Sequence, residues 1–159
     1  MLRMRVRRRK QKKPNKMRGI YIGIDPGENT GVAIVRDGVL AECHTLPLHR
    51  AMALVREEYE STQGRFLVVY EDARLRKWFP RERDNSEYRG RLMGAGAAKR
   101  DAKIWEEYLT AQGIPFEARK PAAGQTKWSA DYWKRITGWT GRTSNHARDA
   151  ALLVFGRTK

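Results

Sequence analysis

Two carboxylates in this 159-residue chain stand where an apolar strand pattern stops. Asp25 closes a run in which Ile20, Ile22 and Ile24 alternate with Tyr21 and Gly23, and Glu71 closes the continuous run FLVVY at residues 66–70. Taken singly, a strand-end acid usually does no more than face solvent. A third feature alters that balance. His146 and Asp149 lie three residues apart, which puts them on one face of a helix, among Ala147, Ala150 and Ala151. Small side chains there let a helix pack close to a sheet, and a His and an Asp on such a face need partners. Three carboxylates and an imidazole at one place suit one or two divalent cations, with Mg²⁺, or Mn²⁺ in its stead, favoured over zinc by the oxygen-rich set. Two ions held in this way, about 3.5–4 Å from each other, serve phosphoryl hydrolysis by clamping the attacking and leaving oxygens.

For the four to meet, the chain must place them at one edge, and the hydrophobic patterning says how. Alternation over residues 19–25, a Pro26-Gly27 turn and the run GVAIVR at 31–36 read as two strands. Asp37-Gly38 is a two-residue hairpin signal, after which residues 39–46 form a third strand. Pro47 suits the first turn of a helix, and Leu48, Met52, Val55 and Tyr59 follow at helical spacing. FLVVY suits a central strand buried on both faces. Residues 86–112 read as one long helix with Tyr88, Leu92, Ala95, Ala102, Trp105 and Leu109 on one side. Gly94 and Gly96 within it each cost about 1 kcal/mol relative to Ala, which implies that they permit close packing, either of another helix or of a strand of DNA. A short edge strand at 114–119, a helix near 130–137 and a last helix near 144–155, capped by Thr143, Ser144 or Asn145, complete the order βββαβαβαα. The fold class is α/β: a mixed five-stranded sheet, an antiparallel three-strand meander plus two parallel strands, flanked by helices. If the first and fourth strands are parallel neighbours, Asp25 and Glu71 emerge together at the carboxyl edge, where such folds build their sites.

Charge points to the partner. Lys and Arg number 33 against 18 Asp and Glu, a formal +15. Ten of the basic residues and none of the acidic ones fall in residues 1–18, leaving +5 over the remaining 141. The chain therefore divides into a cationic arm, 1–18, expected to be disordered when free, and one globular domain, 19–159. Arg7, Arg8, Arg9 and Lys10 are the densest part of that arm and the first candidates for phosphate contact, a solvated tail being the plainer reading. A single cysteine, Cys43, excludes an internal disulfide and suits a reducing, cytoplasmic setting. A Cys/His zinc site is disfavoured, no apolar run approaches the ~20 residues of a membrane span, and the charged beginning of the chain is not a secretory signal.

The segments IGIDPGENTGVAIV (22–35), FLVVYE (66–71) and NHARDAAL (145–152), in this order and spacing, resemble the RuvC-type Holliday junction resolvases, most of all their phage or prophage branch. The resemblance spans about residues 19–155 and implies an RNase H-like fold. It also implies a metal-binding catalytic set of Asp25, Glu71, His146 and Asp149, two Mg²⁺ per site, and a homodimer that nicks four-way junctions to leave 5′-phosphates. His146 is either a ligand or a general base on this reading. The basic arm departs from the cellular members of the family.

Contacts to branched DNA are expected from the loop after Glu71. There Arg74, Arg76 and Lys77 lead into Trp78-Phe79, a mixture of cations and aromatics suited to phosphate contact and stacking on unpaired bases. The same aromatics could instead tuck into the domain's own core. The resemblance adds a lysine near the scissile phosphate, for which Lys127 is the candidate. Two other functions fit the same residues: an RNase H-like nuclease acting on RNA precursors, and a non-catalytic nucleic-acid-binding module whose acids are structural. An actin-like ATPase, whose first strand also ends in an Asp motif, would need about twice this length.

Overall fold

The computed structural model describes residues 19–76, 86–121 and 128–156. Five strands form one sheet: β1 (Gly19–Asp25), β2 (Asn29–Arg36), β3 (Val39–Pro47), β4 (Arg65–Glu71) and β5 (Phe116–Arg119), in the order β3-β2-β1-β4-β5. β1–β2 and β2–β3 are antiparallel, and β1–β4 and β4–β5 are parallel. The helices are α1 (Leu48–Ser61), α2 (Ser86–Ala111), α3 (Ala130–Thr137) and α4 (Asn145–Val154), with a 3₁₀ turn at Ala73–Leu75. This is the mixed sheet the patterning predicts, and β5 is an edge strand as Pro115 requires. The β2–β3 hairpin turns on Asp37 and Gly38, both at positive φ, and Gly19 N–H donates to the Asp37 side chain. Positive φ at both central residues marks the hairpin turn whose twist matches the strands.

Because side chains alternate across a strand, the sheet carries two different cores. On one face Ile22, Ile24, Val32, Ile34, Val68 and Tyr70 pack against Val55 of α1 and Ala102, Trp105 and Leu109 of α2. On the other, Tyr21, Ala33, Val35 and Val69 meet Trp133 of α3 and Ala150, Ala151 and Val154 of α4. Asp25 shares its parity with Tyr21 and Gly23, and Glu71 with Val69, so both acids belong to the α4 face.

Two expectations need correcting. The apolar stripe of the long helix is buried only in its second half. Leu92 is 45% exposed and Met93 77%, while Trp105 and Leu109 are sealed. Tyr88 and Ala95 are only half-buried, and among the described residues nothing lies within 4 Å of where a Cβ on Gly94 or Gly96 would stand, so no helix of the described domain packs close against these two glycines. The second correction is at Pro47, which ends β3 and caps α1 and does not occupy the helix's first turn. Among the described residues no helix is long and apolar enough to cross a membrane.

Candidate active site

The site is built where α4 lies across β1 and β2. Backbone approach there is unusually close, and two glycines permit it. A Cβ on Gly31 would stand 2.0 Å from the His146 carbonyl oxygen, and one on Gly23 would stand 1.9 Å from that of Ala150. Ala147, Ala150 and Ala151 complete the contact as buried small residues. The helix therefore seats on the sheet backbone itself, with its N-terminal turn beside Gly31, the residue paired with Asp25 across the β1–β2 ladder.

Ser144 fixes that turn. It is the N-cap of α4, its Oγ accepting from the Ala147 N–H at 3.0 Å while lying 2.5 Å from Thr45 Oγ1 on β3. The cap thus ties the helix start to the third strand as well as satisfying an orphan amide. Ser144→Ala is expected to cost about 1 kcal/mol of stability, read as a shift of the urea midpoint without change of slope. A cost beyond about 2 kcal/mol would show that the Thr45 tie carries more than the cap.

So held, His146 meets Asp25: its Nδ1 lies 2.8 Å from Asp25 Oδ2. Asp25 is 17% exposed and His146 52%, so the carboxylate sits at the floor and the imidazole at the mouth. A carboxylate on one ring nitrogen sets the ring's orientation and leaves the other nitrogen to a proton, a water or an ion. Glu71 reaches the same edge by register. Ile24 pairs with Tyr70 in the parallel β1–β4 ladder, so the next residues, Asp25 and Glu71, leave the sheet side by side. Asp149 follows one turn after His146 on α4, partly buried. The structure joins Asp25 and His146 directly, with Glu71 at the end of the neighbouring strand and Asp149 one turn further along α4. Among the described residues no three His, Cys, Asp or Glu side chains are gathered tightly enough to grip an ion together.

The turn leading out of β1 is also braced. Thr30 is fully buried, and its hydroxyl donates to the Gly27 carbonyl at 2.7 Å, closing the loop that follows Asp25. Behind α4, Trp133 is buried and meets Trp139 edge-on, with ring centroids 6.4 Å apart, so these two tryptophans support the helix as core residues. Cys43 is a half-buried thiol whose pKa burial pushes up to about 12, which makes it inert at neutral pH.

Of the expected DNA contacts, Arg76 is exposed beyond the 3₁₀ turn. Arg74 is committed to protein partners. Its guanidinium bonds Asp72 through Nε (2.9 and 3.1 Å) and Nη2 (2.7 Å), Glu106 of α2 through Nη1 (2.8 Å), and Tyr70 Oη at 3.4 Å. This network was not foreseen, because Glu106 lies 32 residues beyond Arg74 and nothing local announces the pairing. Lys77, Trp78, Phe79, Lys127 and the arm residues Arg7, Arg8, Arg9 and Lys10 lie outside the described residues.

No family model and no curated protein sequence matches the chain. Among solved structures it is similar to "T. thermophilus RuvC in complex with Holliday junction substrate", at a TM-score of 0.50 and 17% identity, over 86% of this chain and 90% of that one. At that identity the likeness concerns the fold. The mixed five-stranded sheet with helices on both faces is a RuvC-like, RNase H-like α/β fold.

Proposed function

We propose that this protein is a divalent-metal-dependent endonuclease that cleaves branched DNA, four-way junctions above all, by phosphodiester hydrolysis. The contact between Asp25 and His146, made by a helix seated on the sheet backbone, is the observation that carries the reading. A strand-end acid placed only for solubility would not call for two bare glycines and a tied cap to bring an imidazole to it. Structural likeness to RuvC and the three motifs support the same conclusion. The finer parts of the proposal rest on the sequence alone: a place near the phage or prophage branch, a homodimer, a cytoplasmic setting and a role in recombination, repair or phage DNA processing.

The donor set fits a hard divalent cation in its chemistry, with three carboxylates and one imidazole. Asp25, Glu71 and Asp149 would hold Mg²⁺ or Mn²⁺, two ions in the full site, with His146 as a further ligand or as the base. Such ions supply an activated water and stabilise the departing 3′ oxygen. The chain's own part is orientation. Asp25 and Glu71 leave adjacent parallel strands, and α4 carries His146 and Asp149 over them. The unburied first half of α2, with Leu92 and Met93 outward, offers a surface along which two copies would pair.

Arg76, exposed beyond the 3₁₀ turn, completes the proposed DNA contacts together with the arm 1–18, Lys77, Trp78, Phe79 and Lys127, which lie outside the described residues. Deleting residues 1–16 should weaken junction binding and flatten the slope of log K against log salt by at least about two units. Cleavage at saturating enzyme should persist, and its loss would overturn the division into arm and domain.

The deciding experiment offers four-way junction, linear duplex, RNA–DNA hybrid and structured RNA to the full chain with Mg²⁺. Preferential junction cleavage is the expected result. Cleavage confined to RNA substrates would move the site to RNA processing. Tight binding without divalent-dependent cleavage of any of them would leave a binding module.

A further inference from the structure

Resting on that nuclease reading, one feature of the opposite sheet face bears on the geometry of Glu71. Strand alternation puts Glu71 on the α4 face and its neighbours Tyr70 and Asp72 on the α2 face. Asp72 is a carboxylate only 3% exposed. Burial of that kind is costly unless the charge is matched. Arg74 matches it with side-chain bonds from Nε and Nη2 and a further bond from its own amide at 2.9 Å. The Asp72 N–H donates to the Arg119 carbonyl at 2.7 Å, continuing the β4–β5 ladder one residue past Glu71. Arg74 Nη1 then reaches Glu106, next to the sealed Trp105 on the rigid half of α2.

The charge count decides what this arginine can do. Among the described residues two carboxylates, Asp72 and Glu106, bond this one guanidinium, so the three together carry a net negative charge. Its principal N–H donors are turned toward Asp72, Glu106 and Tyr70. Such a group does not attract a phosphate. It lies immediately after Glu71 and bridges the end of β4 to α2. We infer that Arg74 is a positioning residue for Glu71: clamped between Asp72 and Glu106, it fixes the backbone from which the Glu71 carboxylate projects toward the metal-binding edge, and it does not contact DNA.

The test compares the wild-type chain with Arg74→Met on a four-way junction, following single-turnover cleavage against Mg²⁺ concentration and junction binding in Ca²⁺. Glu106→Gln, at an exposed carboxylate, is run beside it as the variant that keeps Asp72 paired and the fold intact. Expected for Arg74→Met is a 10- to 100-fold loss of maximal rate with a raised Mg²⁺ requirement and junction Kd within twofold of wild type. Glu106→Gln should move the same two readouts in the same direction by a smaller factor, and it alone decides the matter if Arg74→Met does not fold. A weakened Kd with a shallower salt slope and full rate at saturation would make Arg74 a phosphate contact and overturn the inference. A lowered melting temperature with unchanged rate and Mg²⁺ requirement would make the clamp merely structural, which also overturns it. If the wild-type chain itself cleaves nothing with Mg²⁺, the nuclease reading falls and takes this inference with it; if wild type cleaves and both variants match it, only the inference falls.

Discussion

Asp25→Asn is expected to reduce Mg²⁺-dependent junction cleavage by about 10²–10³-fold or more while leaving the fold intact. The side chain is 17% exposed and ends β1 without packing into either core, so an isosteric amide fits the same space. Asparagine can also keep a hydrogen bond to His146 Nδ1, which preserves the seat of α4. What it removes is the negative charge. A neutral amide is a poor ligand for Mg²⁺, which takes carboxylate and water oxygens in near-ideal octahedra. Thermal unfolding should therefore be close to wild type, and junction binding in Ca²⁺ should fall much less than the rate. Single-turnover cleavage of a synthetic junction, with wild type alongside, supplies the measurement. Equal cleavage by the two proteins would sink the assignment of Asp25 to chemistry.

How much of this site could be read before folding depends on the range of the interaction concerned. Asp25 and Glu71 stood out because each interrupts an apolar pattern, and strand periodicity is a local signal. His146 and Asp149 were legible for the same reason, since a spacing of three defines a helical face. Alternation along β1 also placed Asp25 with Tyr21 and Gly23, but it could not say that a helix would press on that side. The close approach at Gly23 and Gly31 depends on residues more than a hundred positions later in the chain. Arg74 shows the same limit of range from the other side. In a run of basic residues it looks like one more phosphate contact, and only the three-dimensional placement of Glu106 shows where its donors go. The long helix forms as its periodicity predicts, and its apolar stripe is buried only from residue 101 onward. Leu92 continues the apolar spacing, yet it is 45% exposed.

Gly31→Ala is expected to have the largest effect of any single-methyl change in the domain, and Gly23→Ala follows it. At Gly31 the new Cβ would lie 2.0 Å from the His146 carbonyl oxygen, 2.4 Å from its carbon and 3.1 Å from the Ala147 nitrogen. All three are backbone atoms, so no rotamer change relieves the clash, and α4 must lift until ordinary contact is restored. Overpacking of this kind costs about 1–3 kcal/mol, at times more. The functional loss should be larger than stability alone implies. The atoms displaced belong to His146 itself, and a misplacement of about 1 Å at a catalytic group is worth about 10²-fold in rate. At Gly23 the clash falls on Ala150 and Val154, further along α4 from the site. Gly23→Ala should therefore unfold at lower urea than Gly31→Ala relative to its loss of rate. Gly94→Ala provides the contrast: in an exposed helix interior with nothing within 4 Å, the same added methyl should stabilise by up to about 1 kcal/mol. Urea midpoints and single-turnover rates for the three variants separate these outcomes. If Gly31→Ala cleaves junctions at the wild-type rate, the seat of α4 on the sheet does not set the position of His146, and the contact with Asp25 is incidental to the chemistry.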